Sequence, residues 1–381
     1  MTHPADATAS RTGLPPAARV PLLMLGFIGL LFGTGAGLVR LGWSMPESVQ
    51  GAAALHGPLM IGFFGVVISL ERAVALGRYW AYAAPLLAGA GVLLAALGVR
   101  LPAPAAFAPP LLLAGGLVFV AASLDVLRRQ RALFTFTLAL GALCWPIGTA
   151  VWLAGAPPAA ALPWWLAFLV LTIAGERLEL SRFLPPSPNA KRAFGAILAA
   201  VVVGLAASGQ GWGGTVFAAA LLALSTWLLR QDIARRTVRA RALTRFIAVC
   251  LLAGYFWLAV GSLVALAVGG FVPGRPAYDA ALHAVTLGFV FSMVFGHAAI
   301  ILPAVLRVTL PYHPSFYLPL VLLHASVAIR LLGDAGAGYG WTRIGGLANA
   351  LALAVFIVTM LAAVLHGRRS KALAEAKAAR A

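Results

Sequence analysis

The sequence predicts an all-α fold, a polytopic membrane helix bundle of about twelve transmembrane helices. Three observations carry that reading. Hydrophobic residues make up 62% of the chain and charged residues only 10%, against roughly 45–50% and about 25% in a soluble domain. The polarity is segregated: uncharged stretches of about 17–25 residues alternate with short arginine-rich connectors, the pattern expected of helices crossing a ~30 Å hydrocarbon core. Gly and Pro recur inside those stretches, where membrane helices tolerate them.

Taken in order, the first span, 20–41, follows a polar, Pro-rich segment and ends at Arg40. That segment is no cleavable signal, because the apolar run after it is too long and lacks an Ala-x-Ala site. The second span, 52–74, opens near His56 and closes on Glu71 and Arg72. The third, 80–98, lies between Arg78 and Arg100, and the fourth, 107–127, stops at Arg128 and Arg129. The fifth, 132–154, begins after Arg131, and the sixth, 159–182, ends on Glu176, Arg177, Glu179 and Arg182. The seventh, 191–207, starts at Lys191 and Arg192, and the eighth, 212–230, ends at Arg230. The ninth, 242–269, follows the connector with Arg235, Arg236, Arg239 and Arg241. The tenth, 280–306, runs from His283 to Arg307, the eleventh, 315–333, holds His324 and Arg330, and the twelfth, 343–366, begins at Arg343. The chain thus divides into a cytoplasmic polar tail (1–19), the transmembrane domain (20–366) and a cytoplasmic basic tail (367–381).

With the N-terminus inside, the 28 Lys and Arg residues divide into 23 inside and five outside, the latter being Arg40, Arg100, Arg275, Arg330 and Arg343. Lys and Arg in short loops set orientation, so both termini are expected in the cytoplasm. The same asymmetry accounts for the net charge of +18. The expected partner is therefore the lipid bilayer, and nucleic acid is excluded. The two cysteines, Cys144 and Cys250, both lie in apolar segments, which argues against a disulfide framework or a thiolate metal site.

A weak internal repeat aligns three segments without gaps: GFFGVVISLERAVAL (62–76), AFLVLTIAGERLELS (167–181) and GFVFSMVFGHAAIIL (288–302). They share Phe63, Phe168 and Phe289 and place Glu71, Glu176 and His297 at one position. Three groups of four helices is one reading of this spacing, and chance similarity among apolar strings is the other.

Ionisable residues inside a membrane are costly and mark candidate sites. His56 and His283 each stand near the outer end of a span running from outside to inside, so they share a depth. Two histidines on parallel helices suit the axial positions of one haem, with small residues leaving room for the ring. Haem propionates would want cations, and Arg40 and Arg330 lie at that end, with the planar fork that grips carboxylates. The plainer reading makes both histidines interfacial and the arginines snorkelling. His324, mid-span, is read as a ligand of a second haem or a copper ion, or as hydrogen-bonded within the bundle. At the opposite ends of the second, sixth and tenth spans lie Glu71, Arg72, Glu176, Arg177, Glu179 and His297, roughly 21–22 Å along the helix from the histidine pair. They either pair across helices as an anchor or form a proton access route or anion site. The 14 residues from His283 to His297 make close to four α-helical turns, which puts both on one face.

The segments HGPLMIGFFG (56–65) and HAVTLGFVFSMVFGHA (283–298), set in twelve spans, resemble subunit I of the haem-copper oxidases and, more closely, the NnrS-type membrane proteins of the bacterial nitric-oxide response. The resemblance covers the whole chain in architecture and these two segments in motif, including a HAxT-like start at His283, Ala284 and Thr286. It implies twelve helices in three groups of four, a bacterial inner-membrane location, and His56 and His283 as ligands of a low-spin haem. The sequence departs from the oxidases in lacking the copper-site histidines of the sixth and seventh helices and the paired histidines of the tenth, so an oxygen-reducing centre is not supported. The second histidine of the NnrS type is also spaced differently.

The leading expectation is a bis-histidine b-type haem protein in electron transfer or in the response to nitric oxide or another diatomic gas. A redox partner or a respiratory complex would then be its partner. An enzymatic activity stays open, since no second metal site is evident, and copper has no support beyond His324. The alternatives are a secondary transporter and an assembly factor for a respiratory complex. Against transport, the ionisable residues cluster at the two interfaces rather than at the midplane.

Overall fold

A computed structural model of the chain describes residues 13–98, 102–180 and 186–378. Arg11, Arg100, Arg182 and Arg380, part of the charge count above, lie outside the described residues. The described residues form no strand, and twelve helices are long and apolar enough to cross a membrane. They are α1 (Pro16–Arg40), α2 (His56–Leu76), α3 (Ala83–Leu97), α4 (Ala108–Arg129), α5 (Leu133–Leu153), α6 (Pro158–Leu180), α7 (Pro188–Ala206), α8 (Gly213–Gln231), α9 (Ala242–Ala267), α10 (Pro276–Leu306), α11 (Tyr317–Leu332) and α12 (Tyr339–Ala378). Proline opens or nearly opens α1, α4, α7 and α10, where its missing N–H costs nothing.

The spans agree with the hydropathy reading to within a few residues at most ends. The largest difference is α12, which is helical through Ala378 and so takes in most of the segment expected as a basic tail. The residues beyond the apolar window there are mainly Ala, Lys, Arg, Glu and Leu, the strongest helix formers, so the helix has no reason to stop where the hydrophobicity does.

Consecutive helices pack as antiparallel neighbours, as short connections require. Some contacts cross this order. The helices that carry the aligned segments, α2, α6 and α10, touch one another pairwise, while α1 closes against α10 and α12. The α2–α6–α10 trio is therefore the axis of the molecule, and α6 is the most buried of the twelve spans. Its wall is aromatic: Trp145 of α5 stacks on Phe168 of α6 with ring centroids 5.5 Å apart, and Phe119 of α4 meets both edge-on.

α10 is not one regular helix. Pro276–His283 and Ser292–Leu306 are α-helical, and the eight residues between them, Ala284–Phe291, are wound as a π-helix. Gly288 lies in this stretch against the Trp257 indole of α9, in space that a side chain would need. The wider turns overturn one expectation from the sequence. With more than 3.6 residues per turn in this segment, 14 residues no longer close four turns, so His283 and His297 do not share a face. Each of α2 and α10 also carries phenylalanine about two turns beyond its first histidine. Phe63 and Phe291 stack with centroids 6.2 Å apart and planes 5° from parallel, and Phe64 adjoins them.

Candidate cofactor site

His56 opens α2 and His283 ends the first segment of α10. Their ring centroids are 6.4 Å apart, with planes 23° from parallel. Each ring is held through Nδ1. That of His56 bonds the Gly33 carbonyl of α1 at 2.7 Å, and that of His283 bonds the Asp279 carbonyl one turn back at 2.9 Å. Nδ1 then carries the proton and donates, so Nε2 keeps its lone pair in both rings. Neither Nε2 has a hydrogen-bond partner among the described residues. The His56 ring lies flush on Gly37 of α1, where a Cβ would come within 2.9 Å of the ring.

His283 has a further support. The Asp279 carboxylate reaches its Nδ1 at 3.3 Å and accepts two hydrogen bonds from Arg330 of α11, from Nε at 2.7 Å and from the Nη2 amine at 2.9 Å. Arg330 is buried despite its charge, and this fork–fork pair is its compensation. The fork expected to grip a propionate is thus turned onto Asp279. Asp279 went unremarked in the sequence, although it sits four residues before His283, the helical spacing that brings two side chains onto one face. Arg40, at the last turn of α1, is exposed and lies within electrostatic reach of His56. Arg343, another basic residue of this end, is engaged elsewhere, donating to the Leu41 and Gly42 carbonyls and stacking on Trp43.

The separation of the two rings matches that of two imidazoles on one metal. A ring nitrogen sits about 2.0–2.1 Å from a first-row metal ion, and roughly 1.1 Å from its own ring centre, so two imidazoles on opposite sides of one metal have centroids about 6.3 Å apart. Free Nε2 atoms, Nδ1–H groups held by carbonyls and a carboxylate behind one ring are the support that ligating histidines receive. No group of three or more His, Cys, Asp or Glu side chains fit for a metal occurs among the described residues, so any metal here depends on this pair and on what its own cofactor supplies.

The other end of the trio is built differently. Arg177 of α6 donates to Asp232, just beyond α8, from Nε at 2.7 Å and from an amine at 3.3 Å. Asp232 also accepts the Tyr255 hydroxyl at 2.6 Å and the Ala234 backbone N–H at 2.7 Å. Arg177 reaches His297 Nε2 at 3.3 Å, and the Nδ1 of that ring donates to the Met293 carbonyl at 2.7 Å. Glu176 feels the charges of Glu71, Arg72, Arg177 and Glu179, so the set read from the sequence does converge. Asp232 and Tyr255 complete it, and no local pattern in the sequence marks either.

His324 belongs to neither end. The Trp257 indole N–H donates to its Nδ1 at 2.9 Å, with the two rings nearly parallel, and its Nε2 faces the Ser292 hydroxyl at 3.5 Å. One of its two nitrogens is therefore already occupied, which is the hydrogen-bonded arrangement among the alternatives raised for it.

In comparisons with known proteins, none of the curated proteins matches this chain. A family described as "Domain of unknown function (DUF8744)" matches residues 19–365, which takes in all twelve spans and both polar ends, and the chain belongs to that family.

Proposed function

We propose that this chain is an integral membrane b-type haem protein whose axial ligands are His56 and His283. The observation that carries the reading is the facing pair of imidazoles, 6.4 Å apart, each with Nδ1 bound to a carbonyl and Nε2 open. Binding would be non-covalent, since both cysteines are buried within helices α5 and α9. The haem supplies one-electron chemistry when bound. The residues of the chain do the rest. Gly33 and Gly37 fix the His56 ring, and Asp279 and Arg330 fix the His283 ring. Arg40 is the cation open to a propionate, and Arg330 acts through Asp279. Held by a histidine from each of two helices, the group would supply electron transfer rather than gas binding. The pairwise contact of α2, α6 and α10 supports the architectural resemblance to the haem-copper and NnrS-type proteins.

The test is a reduced-minus-oxidised absorption spectrum of purified, haem-supplied protein. The reading expects the bands of a six-coordinate b-type haem, lost on His56→Ala or on His283→Ala. A colourless, well-folded protein overturns it and leaves a secondary transporter or an assembly factor for a respiratory complex.

The excess of Arg and Lys on the opposite end supports a bacterial inner-membrane orientation with that end and both termini in the cytoplasm. Single cysteines at Ser187 and Ala374 are then labelled from the cytoplasmic side and one at Ala156 from the periplasmic side, over a low background because both native thiols are buried. Labelling of position 156 only from inside reverses the orientation.

A further inference from the structure

A cavity of about 410 Å³ opens at the arginine-rich end of the bundle, where α9 begins and α11 passes. Arg241, Arg245, Tyr312, Tyr317 and Val249 line it. Arg241 stands at the N-cap of α9 and Arg245 in its first turn, and both line the cavity. Among the described residues neither arginine forms an ion pair or a side-chain hydrogen bond, unlike Arg177 and Arg330, whose charges are answered by Asp232 and Asp279. The hydroxyls of Tyr312 and Tyr317 likewise donate to no protein group among the described residues. No side chain caps the first turn of α9, which leaves its first backbone N–H groups without a side-chain acceptor. The donors converge without an acceptor, and the group they fit is an oxyanion with several oxygens.

The wall identifies the kind of anion. Val249 lies about two turns inside the membrane-spanning part of α9, so the lining joins two arginines at the mouth to an apolar residue deeper in the span. Tyrosines at such a level are interfacial residues, with an apolar ring and a polar tip. A soluble anion would use the mouth alone, whereas an amphiphile uses both. We propose that this cavity binds the phosphate headgroup of an anionic phospholipid, with Arg241 and Arg245 on the phosphate, the tyrosine hydroxyls beside it and an acyl chain lying along α9 past Val249. A second pocket at the same end, lined by Arg128 and Arg131 with Leu127, Leu133 and Phe136, repeats the pairing of two arginines with an apolar wall. The proposal is independent of the haem reading.

The test uses the full chain in detergent, titrated with phosphatidylglycerol or phosphatidylcholine and read by native mass spectrometry. Phosphatidylglycerol is expected to be retained in preference to phosphatidylcholine. Each arginine near a membrane surface changes binding of an anionic lipid by about five-fold, so the double change Arg241→Gln and Arg245→Gln is expected to lower retention roughly 25-fold. The control, Arg235→Gln with Arg236→Gln, removes the same charge from the same end outside the cavity and is expected to leave retention within about two-fold. A variant lacking only the two hydroxyls, Tyr312→Phe with Tyr317→Phe, keeps all charge and is expected to weaken retention by about two-fold or more. An equal loss in the control shows a diffuse charge effect and overturns the proposal, as does equal retention of phosphatidylcholine. Displacement by millimolar inorganic phosphate makes it a site for a soluble anion and overturns the lipid assignment.

Discussion

α10 carries one histidine toward each end, and the two environments differ in what approaches each ring. His283 and His297 each donate Nδ1–H to a carbonyl one turn back, that of Asp279 and that of Met293. At His297 the guanidinium of Arg177 approaches Nε2 and uses its lone pair. At His283 the nearby guanidinium, Arg330, is held by Asp279 instead, and Nε2 has no hydrogen-bond partner among the described residues. A histidine can serve as a ligand only if one nitrogen is both unprotonated and unoccupied, and Arg177 occupies that nitrogen in His297 while Arg330 leaves it free in His283. Around Arg177 each partner satisfies another, Asp232, Tyr255 and His297 among them, whereas the two histidines at the other end keep Nε2 without a hydrogen-bond partner among the described residues.

The largest effects should break this contrast outright. His283→Ala is expected to abolish the bis-histidine spectrum, while His297→Ala leaves the bands in place, as read by absorption of the purified variants. If His297→Ala removes the pigment and His283→Ala does not, the two ends have been assigned in reverse.

Next comes the network around Arg177. Asp232→Ala leaves Arg177 buried without its counter-ion and removes the acceptor of the Tyr255 hydroxyl. A buried charge stripped of its partner costs about 3–5 kcal/mol, so thermal unfolding in detergent should shift sharply downward. A variant as stable as the parent would show that this end is not held by the Arg177–Asp232 pair. The haem bands of whatever folds should be unchanged.

A smaller effect sharpens the other side of the comparison. Asp279→Asn keeps the shape but removes the carboxylate behind His283 and uncovers Arg330. Loss of such an outer partner typically costs about 10–100-fold in metal affinity, measured here as haem retention during dilution, with the positions of the bands nearly kept. Retention equal to that of the parent would reduce Asp279 to a partner of Arg330 alone.

The smallest expected effect tests the histidine that stands apart. Trp257→Phe deletes the indole N–H that donates to His324, worth about 1 kcal/mol net, with an added cost for the imidazole nitrogen left unpaired. The spectrum should not move. A changed spectrum would return His324 to the list of ligands.

Much of this molecule was legible in the sequence because bilayer insertion is a rule about local composition. Hydrophobic length and the position of Arg and Lys mark all twelve spans to within a few residues at most ends, and the spacing of His56 and His283 from their span ends puts them at one depth. The same spacing rule would have found Asp279 behind His283, since four residues along a helix is one turn. Only the tertiary structure decided which helices become neighbours and how each is rotated, and the partners follow from that. Whether Arg330 meets a propionate or Asp279, and whether Arg177 finds Asp232 across 55 residues of chain, depends on packing that no local pattern encodes. The π-helical stretch of α10 shows the reason most directly. One residue in an α-helix is worth about 100° of rotation, so the wider turns of Ala284–Phe291 re-aim everything beyond them, and a face read from regular α-helical spacing is lost between His283 and His297.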